Sequence, residues 1–125
     1  MAAVTERVKQ LSEKFLRKEL YVIMSALTAP HSEHMRLLPD HLEYQIKLEK
    51  EGVIFAAGPT FNADGTEAPG LIIIRAASFE AAKAIADADP WVRAGVHACT
   101  ITRWVINEGT YSVRINYSDQ TVVID

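Results

Sequence analysis

Residues 39–52, PDHLEYQIKLEKEG, form the segment around which the rest of the chain can be arranged. Pro39 suits a first helical turn, and Asp40 places an acid close to a helix N-terminus. Gly52 suits a C-terminal cap because glycine readily adopts the left-handed conformation found there. The segment therefore predicts a helix that begins near Pro39 and ends near Gly52.

The apolar residues of this helix form a stripe on one side. At about 100° per residue, Leu38, Leu42 and Ile46 share one face. His41 lies at the edge of the buried sector, about 20° around the axis from Leu48. An imidazole there is partly desolvated and can still reach a cavity, which suits a group that exchanges protons. The alternative is a half-buried histidine that only packs and makes one hydrogen bond.

The composition fits one compact domain of 125 residues and restricts the classes of partner. The net charge is −3, and no run of Lys or Arg offers a surface for nucleic acid or an anionic membrane. No apolar run approaches a membrane span, and residues 1–7 lack the apolar core of a signal peptide, so we expect a cytoplasmic protein. The single cysteine, Cys99, excludes an internal disulfide and is typical of a strand thiol.

The order of the elements predicts the fold. Leu20 to Leu27 is apolar on both faces, which favours a central strand. After this strand, the sequence predicts a loop at 28–38, the helix at 39–52, and strands at 53–59 and 70–76 that form an antiparallel pair. A helix that begins after Ser78 and ends before Pro90 and a strand at 97–106 follow. This α+β order, β-α-β-β-α-β, is that of a ferredoxin-like subunit.

One face of such a sheet lacks a helical cover, so we expect a homodimer or higher homo-oligomer in which two sheets cover one another. Two further parts lie outside the minimal unit. Residues 1–19 predict an N-terminal helical extension, with a helix over residues 5–19, and residues 107–125 predict a C-terminal β extension. The central domain is predicted over residues 20–106.

Five short motifs in this central part resemble the YCII-related family. They are Pro39-Asp40-His41-Leu42, Glu51-Gly52, Ala57-Gly58-Pro59, Ser78-Phe79-Glu80-Ala81-Ala82, and Ala88-Asp89-Pro90-Trp91 with Ala94-Gly95-Val96. The resemblance implies a dimeric α/β barrel of ferredoxin-like subunits, akin to muconolactone isomerase, and an active-site pair formed here by His41 and Asp89. One similar group includes dehydrochlorinases acting on chlorinated hydroxyquinols.

Physical chemistry gives the same pair a role. Asp89 precedes a proline, which disfavours the α conformation and turns the chain out of the helix where a carboxylate can face a pocket. A hydrogen bond from His41 to Asp89 would fix the imidazole tautomer and leave the other ring nitrogen free as a general base. We therefore predict an isomerase or lyase that moves protons on a small polar carbonyl or quinol compound, such as one derived from an aromatic ring.

Three other residues are predicted to bind substrate. Arg36 can hold an anionic group through two hydrogen bonds, or it can be a solvated surface charge. Gly58 and Pro59 can let a ligand approach a strand end, or they can simply end the strand. Trp91, Phe61 and Tyr21 can line an apolar cavity, although aromatic residues of this kind are usually part of the core.

Two other classes of function stay open at this point. The chain can be a non-catalytic module that binds a small ligand or a partner protein, with a structural His41. It can also hold a metal, because His31, His34 and His41 are close in sequence and imidazole suits zinc or iron. We predict no metal and no organic cofactor, since the predicted loop would not align these ligands and no glycine-rich phosphate-binding motif is present.

Overall fold

The computed structural model describes residues 1–125. The chain forms two compact units: Glu19–Val105, and a smaller unit in which Met1–Lys18 associates with Ile106–Asp125. The helices and strands, numbered in chain order, are α1 (Ala2–Ser12), β1 (Lys18–Leu27), α2 (His31–Lys50), β2 (Ile54–Phe61), β3 (Glu67–Ile74), α3 (Phe79–Asp87), α4 (Pro90–Arg93), β4 (His97–Ile106), β5 (Val113–Asn116) and β6 (Thr121–Ile124).

The larger unit is built on a four-stranded sheet in the order β2-β3-β1-β4. Strands β1 and β2 both pair antiparallel with β3, so the predicted hairpin of β2 and β3 is confirmed. Strand β1 is internal to the sheet, as its apolar sequence predicts. This mixed α/β architecture is consistent with a ferredoxin-like fold.

The core of the larger unit lies between one sheet face and helix α3. It contains six buried side chains: Tyr21, Ile23, Ile72, Ile74, Ala82 and Ala86. Strand residues of this face alternate along the chain because side chains on a strand point to opposite sides. Ile23 and Ile74 are almost completely buried, and each such side chain stabilises the fold by about 1.5–3 kcal/mol.

Helix α2 is longer than the sequence predicts. It begins at His31, so the expected loop over residues 28–38 is wrong for residues 31–38, and Pro39 lies inside the helix rather than in its first turn. Pro39 has no N–H to donate, so the helix loses one backbone hydrogen bond at this point. The inward face of α2 explains why the helix nevertheless continues through the proline. His34, His41 and Leu48 follow one another at intervals of seven residues, two turns apart, and each is buried or partly buried.

The apolar stripe of α2 also differs from the expectation. His41 and Leu48 are the buried residues of the helix, whereas Leu42 is 48% exposed and Ile46 is 51% exposed. The buried sector is thus centred on His41 and Leu48, and the predicted stripe is rotated away from the core.

Strand β2 continues past the position at which it was expected to end. It reaches Phe61, with a register irregularity between Gly58 and Thr60. Pro59 is tolerated because β2 is an edge strand, where a missing N–H interrupts no central ladder.

The smaller unit contains α1 and the hairpin of β5 and β6. The predicted helix over residues 5–19 is instead Ala2–Ser12, and Arg17 adopts a positive φ of 52° shortly after its end. The two strands of the C-terminal segment pair antiparallel, with Val113 opposite Ile124 and Asn116 opposite Thr121. No residue of α1 is buried.

None of the helices combines the length and the apolar character needed to cross a membrane.

Candidate active site

A cavity of about 1040 Å³ lies within the larger unit, between α2 and the strands β2 and β3. Its wall includes the end of β1, the inward side of α2 and the beginning of β4. Leu42 and Ile46 line it, which accounts for apolar side chains that are exposed on α2 without being in the core. The volume slightly exceeds the range of about 300–1000 Å³ that is typical of small-ligand pockets.

His41 lines this cavity and pairs with Asp89, which is 48 positions away. Asp89 itself does not line the cavity, so the expectation that its carboxylate faces a pocket is wrong. His41 Nδ1 lies 2.7 Å from Asp89 Oδ2, and the two side chains are only 10% and 4% exposed. An ionised carboxylate can only accept, so Nδ1 carries the proton that is donated and the lone pair resides on Nε2. His41 lines the cavity and its Nε2 has no hydrogen-bond partner in the chain. This arrangement places a basic nitrogen where a ligand can reach it.

Asp89 is held in place by the turn between α3 and α4. Its backbone is extended, with φ −62° and ψ 129°, as expected for a residue before proline. Its Oδ1 accepts a hydrogen bond of 2.9 Å from the Trp91 backbone N–H and caps α4. One carboxylate oxygen therefore fixes the turn while the other fixes the His41 ring.

Trp91 provides the surface against which three imidazoles stack. The centroid of its ring system lies 3.6 Å from that of His41, 4.2 Å from that of His97 and 4.4 Å from that of His34, at interplanar angles of 13°, 11° and 22°. The indole N–H donates to the His34 backbone carbonyl at 3.0 Å, which fixes the indole orientation. Of the three aromatic residues expected to line a cavity, Trp91 does so, and only 7% of it is exposed. Tyr21 and Phe61 do not line the cavity, because Tyr21 belongs to the core and Phe61 is exposed.

A second polar chain lies beside the first pair and was missed by the sequence reasoning. Ser25 Oγ is 3.0 Å from His97 Nδ1, and His97 Nε2 is 2.9 Å from His34 Nδ1. Burial is the largest cause that lowers the pKa of His97, and it also lowers the pKa of His34 although Glu67 acts in the opposite direction. Both rings are therefore neutral near pH 7.

One signal for His34 was available in the sequence. His34 precedes His41 by seven residues, two helical turns, so an uninterrupted helix would have placed both rings on one face. The loop predicted before Pro39 hid this relation. No local pattern indicates that His97, 63 positions from His34, would meet it.

The predicted substrate-binding residues divide into two groups. Gly58 and Pro59 line the cavity. Arg36 does not line it: its guanidinium pairs with Glu33 on the exposed side of α2, at 2.7 Å. The role of Arg36 in binding an anion stays a prediction.

Two more residues bear on the chemistry of the site. Gln45 lines the cavity, and its Oε1 is the buried side-chain oxygen without a partner, while its Nε2 is 3.5 Å from Asp89 Oδ2. Burial raises the pKa of the Cys99 thiol, which disfavours the nucleophilic thiolate.

The alternative of a metal site finds no set of ligands. His31 stacks on His34 at 5.4 Å on the exposed side of the helix, and it does not line the cavity that His41 reaches. No group of three or more His, Cys, Asp or Glu side chains is arranged to hold a metal ion.

Comparisons with known proteins agree with this architecture. The family model of the YCII-related domain matches residues 20–105. Among solved structures, the chain is similar to 5-chloro-2-hydroxyhydroquinone dehydrochlorinase from Burkholderia phenoliruptrix AC1100 in complex with 2,5-dihydroxybenzoquinone, with 22% sequence identity and a TM-score of 0.57. The match covers 68% of this chain and 92% of that chain, and at this identity it shows the fold alone. No curated protein sequence matches this chain.

Proposed function

The chain belongs to the YCII-related domain family, and on that premise we propose that it is an enzyme in which His41 and Asp89 transfer protons by general acid-base catalysis. The reaction is of the isomerase or lyase type, dehydrochlorination included. The substrate is a small polar carbonyl or quinol compound of the kind that arises from aromatic rings. One observation carries the proposal: the buried 2.7 Å contact of His41 Nδ1 with Asp89 Oδ2, with the opposite ring nitrogen free at a cavity.

The proposed proton step begins at His41. Its Nε2 takes a proton from a hydroxyl group of the substrate or from a carbon next to a carbonyl. The electron pair that is released moves into the substrate, where it expels a leaving group or is protonated again at another atom. The Asp89 carboxylate stabilises the imidazolium cation that forms on His41, and the face of the Trp91 ring that lies against His41 stabilises this cation as well. Such catalysis supplies a rate increase of about 10²–10⁴-fold, which suits an activated substrate.

The substrate class is supported by the cavity and by the structural neighbour. Apolar residues of α2, β2 and β3 form much of the wall, three imidazoles lie against Trp91, and Glu49 and Glu67 add two carboxylates to the lining. This distribution suits a planar molecule with a few oxygen substituents. The neighbouring dehydrochlorinase was solved with 2,5-dihydroxybenzoquinone, a molecule of that kind. In this account Gly58 and Pro59 form part of the substrate-binding wall, and Arg36 is a further candidate to bind an anionic group.

We also propose that the subunit forms a homodimer, as two sheets facing one another in a dimeric α/β barrel. The face of β1 and β3 that is opposite the α3 core carries Val22, Met24, Leu71 and Ile73, and Met24 is 42% exposed. A second sheet would cover this face. Light scattering at micromolar concentration should give twice the chain mass, and a mass of 13.9 kDa would contradict the dimer. We further propose a cytoplasmic location for the protein. We also propose that residues 20–106 form the central domain, between an N-terminal extension at 1–19 and a C-terminal extension at 107–125.

The enzymatic proposal can be tested with chlorinated and unchlorinated hydroxyquinols and with lactones. Chloride release and changes in the ultraviolet spectrum would be followed for the wild-type protein, for His41→Gln and for a control, His31→Gln, on the exposed side of α2. We expect turnover by the wild type and the control, and a rate lower by about 10²–10⁴-fold in His41→Gln. Binding of these compounds without turnover by the wild type would instead indicate a non-catalytic binding module.

A further inference from the structure

The chain Ser25–His97–His34 takes no part in the proton abstraction described above, although it reaches the same cavity. All three residues line that cavity. Ser25 is 3% exposed and His97 is 7% exposed, so the far end of the chain is shielded from solvent. At the near end, His34 Nδ1 is hydrogen-bonded to His97 Nε2, and His34 Nε2 has no hydrogen-bond partner in the protein. The chain therefore ends in a ring nitrogen that is available to a ligand.

Hydrogen bonding ties the tautomers of the two rings together. A neutral imidazole has one N–H donor and one acceptor nitrogen. If the Ser25 hydroxyl donates to His97 Nδ1, then His97 Nε2–H donates to His34 Nδ1 and the proton of His34 must be on Nε2, at the cavity. With the opposite polarity, His34 would present a lone pair there.

We propose that the hydrogen bonds among Ser25, His97 and His34 are donated in the direction from Ser25 toward the cavity. Neutral His34 then donates its Nε2–H to the oxyanion that forms on the substrate when His41 removes a proton. This inference rests on the proposed function and adds the electrophilic half of the reaction. His34 is then a catalytic residue, whereas His97 and Ser25 are positioning residues that fix its tautomer.

Complementarity of the two rings supports this polarity. Asp89 gives His41 a lone pair at the cavity, so a second lone pair on His34 would leave the site without a histidine donor for the developing charge. The step is balanced without another reactant. His41 Nε2 forms a bond to the substrate proton, and the electrons of the broken bond move to the carbonyl oxygen, while His34 keeps its proton and only donates a hydrogen bond. A neutral imidazole is suited to this role because it stays a donor throughout.

The stacking on Trp91 supports the placement. The rings of His41 and His34 both lie directly against Trp91, at 3.6 Å and 4.4 Å between centroids. Both residues also line the same cavity, so a substrate held in that cavity can lie against both rings. Burial also lowers the pKa of His34 and His97, which keeps the chain neutral near pH 7.

The polarity can be measured without a substrate, by ¹⁵N NMR of the histidine rings in the full-length protein. We expect a pyrrole-type signal for His34 Nε2 and a pyridine-type signal for His34 Nδ1. In His97→Phe, which keeps an aromatic ring against Trp91 but removes the donor to Nδ1, His34 should become a mixture of tautomers. A pyridine-type signal for His34 Nε2 in the wild type would overturn the inference.

The oxyanion contact can be tested by calorimetric binding of 2,5-dihydroxybenzoquinone, whose hydroxyl groups are vinylogous acids and ionise readily. His34→Phe keeps the stacking and removes the donor, and we expect binding weaker by about 10- to 100-fold, as for the loss of one hydrogen bond to a charged group. His34→Gln places an amide N–H near the position of Nε2 and should recover part of the affinity. His31→Phe changes the neighbouring ring outside the cavity and should bind as the wild type does.

Wild-type affinity in His34→Phe, or no binding of the dianion by the wild type, would overturn the oxyanion contact. Failure of the proposed function is recognised separately, because it leaves these two results intact. In that case the tautomer and the binding would be as expected, while no compound of the panel would be turned over at a rate that depends on His41.

Discussion

Replacement of Asp89 by Asn separates the chemical role of this residue from its structural role. Asn keeps an oxygen that can accept from the Trp91 N–H, and it is among the preferred residues at a helix N-cap. At the position of Oδ2, however, it places an NH₂ group 2.7 Å from His41 Nδ1. Since two donors cannot bond to one another, His41 must accept there and carry its proton on Nε2. The nitrogen at the cavity then changes from a base to a donor.

Replacing Asp89 by Asn should change both the free energy of unfolding and the rate of proton transfer. A charge-assisted hydrogen bond, worth about 1.5–3 kcal/mol, is replaced by a neutral one worth about 0.5–1.5 kcal/mol, so the free energy of unfolding should fall by only about 1–1.5 kcal/mol. Gln45 can turn its unpartnered Oε1 toward the new amide, which limits the loss further. The rate of proton transfer should fall by about a thousandfold or more, because the wrong tautomer faces the substrate.

The matched control is Asp89→Ala, which removes the helix cap and leaves His41 Nδ1 without an acceptor. It should lower the free energy of unfolding by about 2–5 kcal/mol in addition to the activity. Urea denaturation measures the stability of each variant, and ¹⁵N NMR of His41 measures the tautomer. A rate for Asp89→Asn within about tenfold of the wild type, with a His41 tautomer that has not changed, would show that Asp89 does not set the tautomer of His41.

Three further predictions concern stability. Burial lowers the pKa of His34 and His97 below 6.5, so the unfolded chain binds more protons than the folded chain below that pH. Urea denaturation should therefore give a constant free energy of unfolding above about pH 6.5 and a decreasing one below it, with a smaller decrease in His97→Asn. An equal decrease in that variant would show that His97 does not cause the pH dependence. Trp91→Ala should lower the free energy of unfolding by about 3–5 kcal/mol, measured in the same way, since it empties the space between three stacked rings. Tyr44→Phe loses a 2.7 Å hydrogen bond to the Ile85 carbonyl and should lower the stability by about 1 kcal/mol, with turnover as in the wild type; a larger effect on turnover than on stability would give Tyr44 a place in the site.

The pairing of His41 with Asp89 could be anticipated because local rules act on both residues. The proline after Asp89 excludes a helical backbone there, and the helical period puts His41 at the edge of a buried face. The structure agrees with both points, since Asp89 is extended and His41 is buried. Family resemblance supplied the remaining step, which is that the two residues meet.

The hydrogen bonds that link Ser25, His97 and His34 could not be anticipated in the same way. Ser25, His34 and His97 are on a strand, a helix and another strand, and their contacts depend on the sheet order β2-β3-β1-β4, in which β1 and β4 are neighbours. The extent of α2 was a second difficulty. Pro39 is a strong local signal for a helix start, but burial of His34, His41 and Leu48 on the inward face of α2 outweighs the single hydrogen bond that the proline removes.

The central claim is that His41 moves a proton at this cavity, and deuterium incorporation from D₂O tests it most directly. The panel of hydroxyquinols and lactones would be incubated with the wild type and with His41→Gln, and exchange at carbon, or loss of HCl from chlorinated members, would be followed by mass spectrometry. We expect exchange or elimination by the wild type at a rate at least about a hundredfold higher than that of His41→Gln. Equal rates for the two proteins, at or above the rate in buffer, would contradict it.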